Sequence, residues 1–116
     1  MEKNLKPLKL EYLDEISAGD IQFKKDLIKI FLNQIPEFIS NMKKFYADND
    51  LKALAKEAHT AKSSVLIFGM EETGASLKKL QLFAEENTLD PIAEIIQSVE
   101  LELENMSKLL LEFVQS

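Results

Sequence analysis

The chain has 116 residues, 46% of them hydrophobic and 29% charged, and a formal net charge of −6, which fits a single domain, residues 1–116, with a real core and a solvated surface. The absence of cysteine excludes disulfides, thiolate metal sites and cysteine nucleophiles, and the acidic balance speaks against nucleic acid, whose non-specific binding depends on clustered Lys and Arg. Three glycines and three prolines leave too little turn material for a many-stranded fold, so the expected class is all-α.

The opening segment MEKNLKPLKLEYLDE has no apolar run of signal-peptide length. No later stretch approaches the ~18 apolar residues of a membrane span. A cytoplasmic location with no membrane partner is therefore expected. The first periodic segment is Leu8 to Ser17, where Leu10, Leu13 and Ile16 recur every third residue and predict a short helix. Ser17-Ala18-Gly19-Asp20 breaks it, with Asp20 placed to cap the next helix.

The next segment, Ile21 to Ala47, carries Phe23, Leu27, Ile30, Phe31, Ile35, Phe38, Ile39, Met42 and Phe45 at helical spacing. Pro36 lies inside this pattern. A proline there removes a backbone hydrogen bond and crowds the preceding turn, so a kink or two abutting helices, Ile21–Gln34 and Pro36–Ala47, is expected. Asp48-Asn49-Asp50 reads as a loop ending in a cap. A helix then runs from Leu51 to Phe68 and stops at Gly69, a natural residue just past a helix end. Glu71 to Asn87 comes next, with Leu77, Leu80, Phe83 and Ala84 inward and Gly74 as a weak point near its start. Asn87 to Pro91 combines loop, cap and first-turn proline. The last helix, Pro91 to Val114, bears Ile92, Ile95, Ile96, Val99, Leu103, Met106, Leu110 and Phe113 on one stripe. Short connections favour antiparallel neighbours, so the expected architecture is an up-down four-helix bundle with a short N-terminal helix.

A bundle does not specify a function; side chains do. The only histidine is His59. On a wheel of about 100° per residue, Leu51, Leu54, Ala55, Ala58, Ala61 and Val65 form an apolar arc and His59 sits at its edge, open to solvent. Lys56 and Lys62 lie three residues to either side, Ser63 four after and Ala55 four before, and such neighbours share a face. Leu66 and Ile67 lie about two turns on, with Leu66 near the arc and Ile67 pointing outward. Imidazole is a nucleophile near neutral pH, lysines offset phosphoryl charge, small neighbours admit another protein, and an apolar patch gives it a hold. Taken without any likeness, the same residues also describe a solvated helix face.

The string Ala58-His59-Thr60-Ala61-Lys62-Ser63-Ser64, with Phe68-Gly69 after it, closely resembles the phosphorylation-site motif of histidine phosphotransfer domains. The likeness extends along nearly the whole chain, through Phe31-Leu32 with Ile35-Pro36-Glu37, Asp48 and Asp50-Leu51, and Leu77, Leu80-Gln81 and Ala84. The resemblance implies a carrier in two-component phosphorelays, phosphorylated on His59 through Nε2. It implies that Lys62 contacts the phosphoryl group and that Gln81 hydrogen-bonds the imidazole and orients it. Ala55, Lys56, Ser63, Leu66 and Ile67 would receive the partner, a response-regulator receiver domain; a sensor histidine kinase or hybrid kinase would stand upstream. The carrier needs no cofactor or metal of its own, the receiver supplying Mg²⁺. Three positions depart from the family's pattern: Ser63 replaces a glycine, Glu85 stands where some members have a basic residue, and Ile67 replaces a frequent polar residue.

Two other classes can be weighed. A di-iron bundle needs Glu-x-x-His pairs on facing helices, but Lys56 precedes His59 by three residues and there is no second histidine. An enzyme in its own right would need more than acidic residues such as Glu100, Glu102 and Glu104 on a solvated face. No Gly-rich phosphate loop is present, so no independent kinase activity is expected. The remaining alternative is a helical adaptor that is never phosphorylated.

Overall fold

The computed structural model describes residues 10–115. Those residues form five helices, α1 (Glu11–Ser17), α2 (Ile21–Ala47), α3 (Leu51–Ile67), α4 (Glu71–Glu85) and α5 (Ile92–Gln115), and no strand. Packing runs α2 on α3, α3 on α4, α4 on α5 and α5 back on α2, with α1 laid on α2. This ring, closed by short loops, is the expected four-helix bundle with its N-terminal helix. The start of the first segment at Leu8 lies outside the described residues.

The helix ends explain how so few glycines suffice. Asp20 accepts a hydrogen bond from the Phe23 amide at 3.0 Å and Asp50 one from the Ala53 amide at 3.2 Å, so α2 and α3 each begin on a side-chain cap. Three helices then end in the same way. The third residue past each end donates back across the turn, Asp50 to Phe45, Met70 to Val65 and Thr88 to Phe83. The residue before it takes a positive φ: Asn49 at 58°, Gly69 at 74° and Asn87 at 59°. These are Schellman turns, and asparagine replaces glycine in two of them because it tolerates the left-handed region.

Pro36 lies within one helix, not between two. It sits on the exposed side of α2, where water can meet the carbonyl that a proline leaves without a donor. The predicted break into Ile21–Gln34 and Pro36–Ala47 is thus corrected to a single helix of 27 residues. Boundaries elsewhere differ by a residue or two: Phe68 caps α3, α4 ends at Glu85, and α5 spans Ile92–Gln115.

The core is built from Ile28, Phe31 and Met42 of α2, Leu54, Ala58, Ala61 and Val65 of α3, Leu77 and Leu80 of α4, and Val99, Leu103 and Leu110 of α5. Phe31 stacks on Phe68 with ring centroids 4.3 Å apart. Three apolar residues of the periodic stripes, Ile16, Phe23 and Ile30, are exposed, because α1 and the first half of α2 have a neighbour on only part of their circumference. Ser17 is buried and donates to the Asp14 carbonyl at 3.2 Å. The closest approach is between α3 and α4. A Cβ added at Gly74 would lie 2.7 Å from Leu66 Cδ2, so a side chain there would push the Leu66 tip aside.

Asp50 begins the helix that carries His59. Asp50→Ala is expected to lower the unfolding free energy by about 1 kcal/mol in a urea titration monitored by circular dichroism. An unchanged midpoint would show that the bond to Ala53 is dispensable.

Candidate functional site

His59 is exposed near the middle of α3. The opposite side of that helix is sealed, since Leu54, Ala58, Ala61 and Val65 have no accessible surface. The imidazole therefore stands in solvent on a backbone held by the whole core. It lines an open groove of about 600 Å³ between the first half of α3 and the end of α4. Leu51, Lys52, Ala55, Lys56 and Thr60 line the groove from the α3 side. Gln81, Ala84 and Glu85 line it from α4, with Asn87 just beyond. Ala55 and Ala84 are both buried; larger side chains there would fill the space beside the histidine.

The charge around His59 opposes that of the chain. α3 carries Lys52, Lys56 and Lys62 and one acid, Glu57. Glu57 is occupied elsewhere, accepting a hydrogen bond from Asn41 Nδ2 of α2 at 3.0 Å. On the α4 side, Gln81 Nε2 donates to Glu85 Oε2 at 3.0 Å, while Gln81 Oε1 is buried with no hydrogen-bond partner. The Ser63 hydroxyl, in place of the family's glycine, donates to the His59 carbonyl at 3.3 Å. It is thus turned back onto its own helix and does not line the groove.

Of the residues singled out in the sequence, the structure brings Ala55, Lys56, His59 and Gln81 into one groove. Lys62, Ser63, Leu66 and Ile67 continue along α3 outside that lining. Two expectations about the last pair are corrected. Leu66, placed near the apolar arc, is 43% exposed, whereas Ile67, placed outward, is half-buried and packs against the core. A helical wheel registers only one buried side, and at the end of α3 the chain packs on more than one. The pairing of Gln81 with Glu85 is a finding of the structure, although the four-residue spacing on α4 permits it.

Residues 26–109 match the Hpt domain family. The chain belongs to that family. The matched span contains α3 and α4 whole and most of α2 and α5, so it includes every residue of the groove. No curated protein and no solved structure gives a significant match. Hpt domains are helical bundles that act as phosphotransfer carriers between kinases and response regulators in phosphorelays, and this Hpt domain has that general role. Among the described residues no helix is long and apolar enough to cross a membrane.

The corrected packing at the end of α3 has a consequence for stability. Ile67→Lys is expected to cost ~1 kcal/mol or more, because a charged head replaces a side chain packed on the core. Leu66→Lys should cost less than Ile67→Lys. Paired urea titrations of the two variants measure this, and a larger loss at Leu66 would reverse the assignment.

Proposed function

We propose that His59 is the residue that takes up the phosphoryl group and that it exchanges this group with the aspartate of a response-regulator receiver domain. One observation carries the reading. The chain's only histidine falls inside the matched Hpt span and stands exposed at the lip of a groove, on a helix whose other side is fixed in the core. A nucleophile that must meet the active site of another protein needs that combination of exposure and rigidity.

The step is an exchange between two phosphoryl bonds. The Nε2 lone pair attacks phosphorus in the receiver's aspartyl phosphate. A nitrogen–phosphorus bond forms, the bond to the aspartate oxygen breaks, and the carboxylate leaves with the electron pair. The receiver supplies the Mg²⁺ that screens charge in flight. This chain supplies position and cations. Lys62, one turn after His59, balances charge on the arriving phosphoryl group. Lys56 and the small residue Ala55 form the approach surface, with Ser63 and the exposed Leu66 extending it along α3. Gln81 Oε1, lacking a partner of its own, is the acceptor available to hold the Nδ1 proton, which leaves Nε2 free as the nucleophile. The chain carries the group and does not make it, so it has no kinase activity of its own and its donor is a sensor or hybrid histidine kinase.

Incubation with a phosphorylated receiver domain tests the reading. The expected label is acid-labile and base-stable, as a phosphoramidate should be. His59→Gln should abolish it while leaving the melting curve in place. Labelling that survives the substitution would defeat the assignment, and an unlabelled wild type would leave a helical adaptor as the function.

Lys62→Ala should slow transfer about tenfold or more, the size of a lost charge-assisted hydrogen bond of roughly 1.5–3 kcal/mol, with helix content unchanged. Rapid-quench kinetics decide this; an unaltered rate would return Lys62 to the solvated surface.

A further inference from the structure

Gln81 has two ways to place its amide, and they have opposite meanings for a neighbouring imidazole. With the carbonyl oxygen toward the ring, Gln81 accepts a proton held on the ring. With the amino group toward the ring, it donates, and the ring must offer a lone pair instead. Something has to select one of the two. On α4 the residue one turn further on is Glu85, and an ionised carboxylate only accepts hydrogen bonds. Gln81 Nε2 donates to Glu85 Oε2 at 3.0 Å. The amide is thereby turned so that Oε1 is the free end, and Oε1 is buried without a partner. Gln81, Glu85 and His59 all line the same groove.

We infer that Glu85 is a positioning residue for phosphotransfer: by fixing the Gln81 amide it selects the His59 tautomer with the proton on Nδ1 and the lone pair on Nε2. The inference rests on the reading that His59 is the phosphoacceptor. It adds what holds the Gln81 amide in the orientation that reading needs. An exposed imidazole with no such neighbour exchanges freely between tautomers, and the form protonated on Nε2 has no lone pair there to attack phosphorus. The logic is that of a carboxylate holding a catalytic imidazole in its productive tautomer, here transmitted through one amide. The same chain of groups acts during the reaction. As Nε2 gives up its electron pair, the ring becomes positive and the Nδ1 proton more acidic. The Gln81 oxygen that receives it is polarised by the carboxylate behind the amide. The carboxylate that replaces a basic residue in this groove is therefore not simply a repulsive charge beside the phosphoryl group.

Electrostatics alone and amide selection predict opposite results for one substitution. Glu85→Lys adds a cation beside the incoming phosphoryl group, which by charge alone should speed transfer. A lysine, however, only donates, so it draws the Gln81 carbonyl to itself and turns the amino group toward the ring. The test is long-range ¹⁵N–¹H correlation on the full chain, which reads the His59 tautomer, together with transfer from a phosphorylated receiver. The wild type should be mainly protonated on Nδ1. Glu85→Gln, whose amide can donate as well as accept, should relax the preference without reversing it. Glu85→Ala should give a mixture, and Glu85→Lys should favour protonation on Nε2 and slow transfer about tenfold, the scale of one lost hydrogen bond to the reacting ring. In a Gln81→Ala background the identity of residue 85 should no longer move the tautomer.

A His59 tautomer indifferent to Glu85→Ala and Glu85→Lys overturns the inference. A Glu85 effect that persists without Gln81 overturns it as well, as does faster transfer in Glu85→Lys. Each of these results leaves the phosphoacceptor assignment standing. A wild-type chain that takes no label on His59 defeats that assignment, whatever the tautomer measurements give.

Discussion

The site depends on how closely α3 and α4 can approach. Ala55 of α3 and Ala84 of α4 are buried beside the shared groove, with methyl groups where larger side chains would hold the helices apart. Each small residue sacrifices some buried apolar area. In return the backbones come near enough for residues of two helices to share one groove. His59 of α3 faces Gln81 and Glu85 of α4 across it. Polar side chains reach only a few ångströms, so a wider bundle with the same residues would leave the histidine without neighbours on the second helix.

The second constraint is the contrast between the two sides of α3. One side is sealed in the core and the other lies open. A histidine on a loop would be equally accessible but poorly aimed. One in the core would be well aimed but out of reach. The helix also collects three lysines on a chain whose net charge is −6. With Glu57 held by Asn41, the face of α3 presented to a partner is cationic against an acidic remainder, an arrangement that orients an approaching acidic surface before contact.

Much of this is legible in the sequence, for identifiable reasons. Asp20 and Asp50 act locally, through a hydrogen bond to an amide three residues on, and Gly69 acts through its own backbone angle. Such signals need no knowledge of the fold. The buried side of α3 emerges from spacing alone because that helix packs along most of its length. The corrected positions share a cause. Periodicity puts Ile67 outward, Leu66 near the core, and Ile16, Phe23 and Ile30 on inward stripes, because it reports where apolar residues lie on a helix and not which neighbour covers them. Pro36 reads as a kink in α2 or a break between two helices; the helix is single, and on its water-facing side the carbonyl left without a donor can meet solvent. The Gln81–Glu85 pair is visible as a spacing, yet its meaning depends on α3 lying alongside.

The N-terminal helix stands apart from all this. α1 has seven residues, packs on α2, and lies before the first residue of the family match. Among the described residues, Leu13 and Ser17 of α1 are buried, Leu10 packs against the core, and Asp14 pairs with Lys24, whose ammonium also sits 5.1 Å from the centre of the Phe113 ring. A seven-residue helix that packs chiefly on one neighbour opens locally at a lower free energy than the bundle. Its amides would then exchange with solvent through local excursions while those of α3 wait for global unfolding. Because no groove residue belongs to α1, such excursions leave the lining of the groove in place.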